Sequence, residues 1–157
     1  MATLQLPNRD ARLAYLALQY HLARPGSELD PETKRPLEHG LAEVARALEP
    51  QLERAMATIE LSDYQRQRLV SAIAGAVNEL KTYPLLGGQT TVPRFHAALR
   101  RLFPEVTEEP EEAPQLAAHL VTLRRRLESA ARSASAQGKS PGPGRRPWWR
   151  FWERGRG

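Results

Sequence analysis

Cysteine is missing from all 157 residues, which removes disulfides, thiol nucleophiles and thiolate metal sites from consideration. No run of about 18 apolar residues occurs, so no segment is expected to span a bilayer. The opening residues, Met1 to Asp10, lack the charged and apolar regions of a secretion signal. The expectation is a cytoplasmic protein, at most peripheral at the inner face of a membrane. Histidine is scarce as well. His21, His39, His96 and His119 never lie four residues apart, and no Glu-x-x-His pair occurs, so helical metal-ligand spacing is missing. Neither metal nor cofactor is expected. The histidines read as solvated or boundary groups, with His119 placed to pair with Gln115 one helical turn earlier. Period-two alternation and internal repeats are not evident, which argues against a sheet or a solenoid.

The helical signals are continuous by contrast. Asn8 is placed to cap a first helix that Pro25-Gly26 stops, with Leu13, Leu16, Ala17 and Tyr20 as its stripe. Asp30-Pro31 reads as another start, and Leu37, Leu41, Val44, Ala45 and Leu48 make a second stripe over residues 36–48. Past Pro50, Leu52, Ala55, Met56 and Ile59 continue helical spacing. Ser62 and Gln65 form a capping box. It opens the longest helix, roughly 30 Å by its rise per residue, expected to be the central strut. Pro93 and Pro114 open two more helices, separated by an acidic loop over residues 104–114. The fold class is therefore all-α, a five- to six-helix bundle with a disordered C-terminal tail. Its divisions are a flexible N-terminus at residues 1–7, a helical domain at 8–134, a Pro/Gly/Ser linker at 135–144 and a contact tail at 145–157.

The body offers little chemistry. Gly87-Gly88-Gln89-Thr90-Thr91 precedes a helix, but it lacks phosphate-loop spacing and a preceding strand, so it reads as an interhelical loop. Arg124, Arg125 and Arg126 read as the wet face of the last helix, with a nucleic-acid stripe as the sharper alternative. No catalytic residue is assigned, and the protein is read as non-enzymatic.

Tryptophan is confined to one place. All three occur in the last thirteen residues, as Trp148, Trp149 and Trp152, beside Phe151. The formal charge of +5 is equally local. Residues 137–157 carry Lys139, Arg145, Arg146, Arg150, Arg154 and Arg156 against Glu153, leaving 17 basic and 17 acidic residues elsewhere. Wound as a helix at about 100° per residue, the four aromatics fall in one arc of about 160°, with Arg150, Glu153 and Arg154 opposite. Such a short helix forms only against a surface that accepts its aromatics. In composition this segment resembles tryptophan- and arginine-rich membrane-active peptides, over about ten residues.

These features imply an adaptor or interaction protein. Trp148, Trp149, Phe151 and Trp152 would insert into a surface, while Arg145, Arg146, Arg150 and Arg154 hold phosphate or carboxylate groups. The expected partner is an anionic membrane surface or a groove on another protein, and homo-oligomerisation would strengthen binding. The alternative is a nucleic-acid-associated protein, in which arginines track phosphates and tryptophans stack on bases.

Overall fold

The computed structural model describes residues 1–34 and 39–137, with side chains described as far as Arg132. The described fold is mostly helical, as the apolar periodicities imply. In chain order come β1 (Ala2–Pro7), α1 (Asn8–Leu22), α2 (Leu41–Leu48), β2 (Met56–Leu61), α3 (Asp63–Thr82), α4 (Pro93–Leu102), α5 (Pro104–Glu108) and α6 (Ala113–Gln137). Short 3-10 turns follow α2 at Glu49–Gln51 and precede α6 at Pro110–Glu112.

Two strands replace features read differently from sequence. Residues 1–7, read as a flexible lead-in, supply β1, which pairs antiparallel with β2 in the register Leu4 to Ile59 and Leu6 to Ala57. The apolar residues at 52–59, read as helical, are instead a turn over residues 52–55 followed by β2. Burial decides between the periods: Ala57, Ile59 and Leu61 are buried, whereas Met56, which a helix would have turned inward, is 51% exposed. Thr58 and Glu60 face outward between them, the alternation a half-buried strand requires.

The central helix is α1, not the longer α3. Ala11, Leu13, Ala14, Tyr15, Leu16, Ala17, Leu18 and Leu22 are all buried, because this segment is apolar around most of its circumference and needs neighbours on every side. α2, α3, α4 and α6 all pack against it. α3 and α6 form the most extensive helix pair, with Leu116, Leu120, Leu123 and Leu127 of α6 buried along one stripe.

The helix ends show which local signals hold. Ser62 Oγ accepts from the Gln65 N–H at 3.1 Å while Gln65 Oε1 accepts from the Ser62 N–H at 2.9 Å, the reciprocal cap that the sequence implies. Asn8 takes a different task. Its side-chain amide donates to the Leu52 and Arg54 carbonyls at 2.8 and 2.7 Å, tying the approach to β2 onto α1. Asp30-Pro31 opens no helix. The Asp30 carboxylate instead accepts from Gly26 N–H, Thr33 hydroxyl and Glu32 N–H, holding a turn, and these hydrogen bonds keep its acidity above that of an ordinary aspartate. The stretch read as an acidic loop is α5 plus a 3-10 turn, anchored by buried Val106.

α2 begins at Leu41 rather than in the mid-thirties, behind Gly40 at φ +72°. Its first turn has no cap of its own. Glu28 supplies one from thirteen residues before Leu41: its carboxylate accepts from the backbone N–H of His39, Leu41 and Ala42 at 2.9, 3.0 and 3.3 Å. Charge-assisted bonds to orphan helix-start amides are strong. Glu28→Ala is therefore expected to cost about 2–3 kcal/mol, read by urea titration, and Glu28→Gln about half of it. A loss below ~0.5 kcal/mol for Glu28→Ala would show that water replaces the carboxylate.

Candidate functional site

The residues expected to make contact, Arg145, Arg146, Trp148, Trp149, Arg150, Phe151, Trp152 and Arg154, lie outside the described residues. α6 runs to Gln137, three residues into the stretch read as linker. The remaining candidate chemistry lies in the body.

The fold assembles one polar cluster that local sequence gives no sign of. α1 brings His21, the loop before α2 brings His39, and the first turn of α3 brings Tyr64. The His39 Nδ1 and the Tyr64 hydroxyl are hydrogen-bonded at 2.5 Å. The His21 and His39 rings meet edge-on at 5.5 Å, and the Arg68 guanidinium sits 5.2 Å over the Tyr64 ring. His21 is half-buried, as a boundary histidine would be, and Tyr64 is 46% exposed; His39 alone of the four histidines departs from the solvated or boundary reading. His39 is 8% exposed, and the buried His21 Nε2 has no hydrogen-bond partner among the described residues. Burial, then the nearby His39, then Arg24, push the His21 pKa down. These surroundings favour the neutral form of the His21 imidazole. The cluster contains two candidate metal ligands, and among the described residues no group of three or more histidine, cysteine or carboxylate side chains could hold a metal ion.

The depressed His21 pKa carries a stability signature. The folded state holds the ring neutral below the pH at which the unfolded chain, with a pKa near 6.5, takes up a proton. This contribution is complete above about pH 6.5 and is lost as pH falls from there towards the folded-state pKa. Urea titrations from pH 8 to pH 5 are expected to show falling stability for the wild type and a shallower fall for His21→Leu. Superimposable pH profiles for the two proteins would refute the assignment.

A second cluster is structural. The Tyr15 hydroxyl donates to the Glu49 carboxylate, and Arg101 Nη1 donates to the other carboxylate oxygen at 2.6 Å, joining α1, the 3-10 turn and α4. Burial and the Glu49 hydrogen bond push the Tyr15 pKa up to about 12. Burial opposes ionisation of Glu49, but the Tyr15 and Arg101 hydrogen bonds outweigh it and hold its pKa down. Tyr15 therefore keeps its proton at neutral pH and acts as a strut.

The other motifs resolve simply. The N–H groups of Gly87 and Gly88 donate to the Pro84 and Tyr83 carbonyls at 3.2 and 3.0 Å. They terminate a helix and present no anion cradle. His119 Nδ1 accepts from Arg9 Nη2 at 2.9 Å, across the α1–α6 contact rather than along α6 to Gln115. His96 Nε2 lies 3.2 Å from the Tyr83 hydroxyl. Arg124 pairs with Glu128 and Arg126 with Asp10, which leaves Arg125 without an ion pair among the described residues.

No protein-family model, curated protein or solved structure matches this chain. The functional reading therefore rests on the residues themselves. None of the described clusters sets a nucleophile against a base with a third group orienting it. No helix of the described residues is long and apolar enough to cross a membrane.

Proposed function

We propose that this chain is a non-enzymatic interaction protein whose helical body carries residues 145–157 to an anionic membrane surface. One observation carries the reading: every tryptophan lies beyond the Pro/Gly-rich stretch, together with five arginines against one glutamate, a net +4 of the chain's +5. The body supports it by what it already satisfies. The core of the described residues is filled by leucine, alanine, isoleucine, valine, tyrosine and phenylalanine side chains, with no tryptophan among them.

The energetics suit a reversible contact. Each arginine beside an anionic leaflet contributes on the order of 1 kcal/mol. Burial of Trp148, Trp149, Phe151 and Trp152 at headgroup depth adds several more. Together these give binding of about micromolar strength. The place of action would be the inner face of a membrane, with the body free to hold another component.

The test compares the full chain with a version ending at Gln137 in sedimentation with anionic vesicles, neutral vesicles and single-stranded DNA. The expected result is sedimentation of the full chain with anionic vesicles and none for the shortened chain. Equal behaviour of the two on vesicles would overturn the reading. Segment-dependent binding to DNA without vesicle binding would favour the nucleic-acid alternative.

A further inference from the structure

The two-stranded sheet leaves one edge open beside an apolar groove. In antiparallel pairing, opposed residues alternate between hydrogen-bonded and non-hydrogen-bonded pairs. Thr58 donates its N–H to Gln51 Oε1 at 2.9 Å, and its carbonyl accepts from Gln51 Nε2 at 2.9 Å. Both backbone groups of Thr58 therefore face away from β1, so Thr58 and its partner Gln5 form a non-hydrogen-bonded pair. The Asn8 N–H, donating to the Ala55 carbonyl at 3.0 Å, continues the alternate phase. By this parity the N–H and carbonyl groups of Thr3 and Gln5 point away from β2. The outer edge of β2 is thus closed at its middle by a side-chain amide, whereas Thr3 and Gln5 have no such partner among the described residues. Ala2–Pro7 carries no charged side chain, and of the devices that blunt an edge it has only Pro7 at its end, beyond Thr3 and Gln5.

Between this edge and the C-terminal half of α6 lies a groove of about 410 Å³. Leu4, Leu6, Leu123 and Leu127 line it, with Arg125 and Arg126 also at its wall. Arg126 is engaged by Asp10, and Arg125 is exposed. An open strand edge facing a helix across an apolar groove is the geometry by which an extended peptide adds as a further strand.

We propose that β1 and α6 receive an extended acidic segment of a partner protein, paired with the backbone of Thr3 and Gln5. Alternate side chains of that segment descend towards Leu4, Leu6 and Leu127, and one of its carboxylates meets the Arg125 guanidinium. Charge selects the occupant. Residues 145–157 carry five arginines against one glutamate and would oppose Arg125 and Arg126 with like charge. A second copy paired through β1 would bring its own α6 arginines to the same groove. The docking surface lies wholly in the body, so it stands or falls separately from the role of residues 145–157.

The experiment is selection of a random peptide library on the immobilised full chain, with the full-length variants Gln5→Pro and Arg125→Glu as comparators. Gln5→Pro deletes an N–H that has no hydrogen-bond partner among the described residues. Arg125→Glu reverses a charge without touching packing and stays readable if the proline variant does not fold. Enriched peptides are expected to alternate apolar residues, to carry acidic ones, and to bind the wild type about tenfold more tightly than either variant. They should also shift the backbone amide resonances of Thr3 and Gln5. Three results overturn the proposal: no enrichment, enriched peptides that bind wild type and Arg125→Glu equally, or a wild-type dimer in sedimentation equilibrium that Gln5→Pro dissolves. The last would place a second copy on the edge.

Discussion

Gly75→Val lowers the stability of the fold by about 3 kcal/mol, at the upper end for overpacking a close-packed interior. Glycine in a helix interior costs about 1 kcal/mol relative to alanine, so its presence in the middle of α3 has a steric cause. A Cβ at Gly75 would lie 2.1 Å from Cε1 of Tyr20 and 2.9 Å from Cδ1 and Cζ. The Tyr20 ring reaches from α1 across α3 and packs edge-on against Phe95 of α4, with ring centroids 5.9 Å apart. Any side chain at Gly75 must push that ring out and break the contact among three helices. Gly75→Ala is expected to cost about 1–2 kcal/mol, because improved helix propensity offsets part of the clash. Urea titration measures both effects. The mechanism has a sharper consequence in a double-mutant cycle with Tyr20→Ala. Removing the ring makes room for the new methyl, so Gly75→Ala becomes nearly neutral or stabilising in that background, a coupling of more than about 1 kcal/mol. Additive losses would show that the ring is not the obstacle.

The same contact marks where the sequence stops being readable. Tyr20 was visible on the apolar stripe of α1, and Gly75 lay unremarked in a helix, but their contact joins positions 55 residues apart that no local periodicity connects. Signals that act within one turn were legible. The Ser62 and Gln65 cap, Pro93 at the start of α4 and the stop at Gly87-Gly88 all follow from groups a few residues apart. Signals that need a distant partner were not. Glu28 caps α2, and Asn8 serves the approach to β2 rather than its own helix. The strands failed for a related reason. Leu4 and Leu6 alone make a short alternation, and Met56 to Leu61 carries both a period-two and a helix-like pattern. A two-stranded pair is marginal without a body to pack on, so its stability comes from contacts beyond either segment. The His21, His39 and Tyr64 cluster draws on three segments and left no trace in spacing.

Replacing Trp148, Trp149, Phe151 and Trp152 together by alanine is expected to weaken binding to anionic vesicles by at least about a hundredfold, since each aromatic buried at headgroup depth contributes on the order of 1 kcal/mol. Replacing Arg145, Arg146, Arg150 and Arg154 by glutamine should cost a comparable amount at low salt and much less at high salt, because surface attraction is screened beyond the Debye length. The two sets thus separate by salt dependence: aromatic loss persists at every ionic strength, while arginine loss fades. Peptide-groove docking on a partner protein would instead leave vesicle affinity untouched by both.

Intrinsic tryptophan emission reports on residues 148–152 alone, because the body contains no other indole. Titrating the full, unlabelled chain with anionic vesicles is therefore the most direct measurement. Transfer of Trp148, Trp149 and Trp152 to the headgroup region predicts a saturable blue shift with anionic vesicles, and little shift with neutral vesicles at the same lipid concentration. An emission spectrum that does not move as anionic lipid is added would contradict the membrane reading outright.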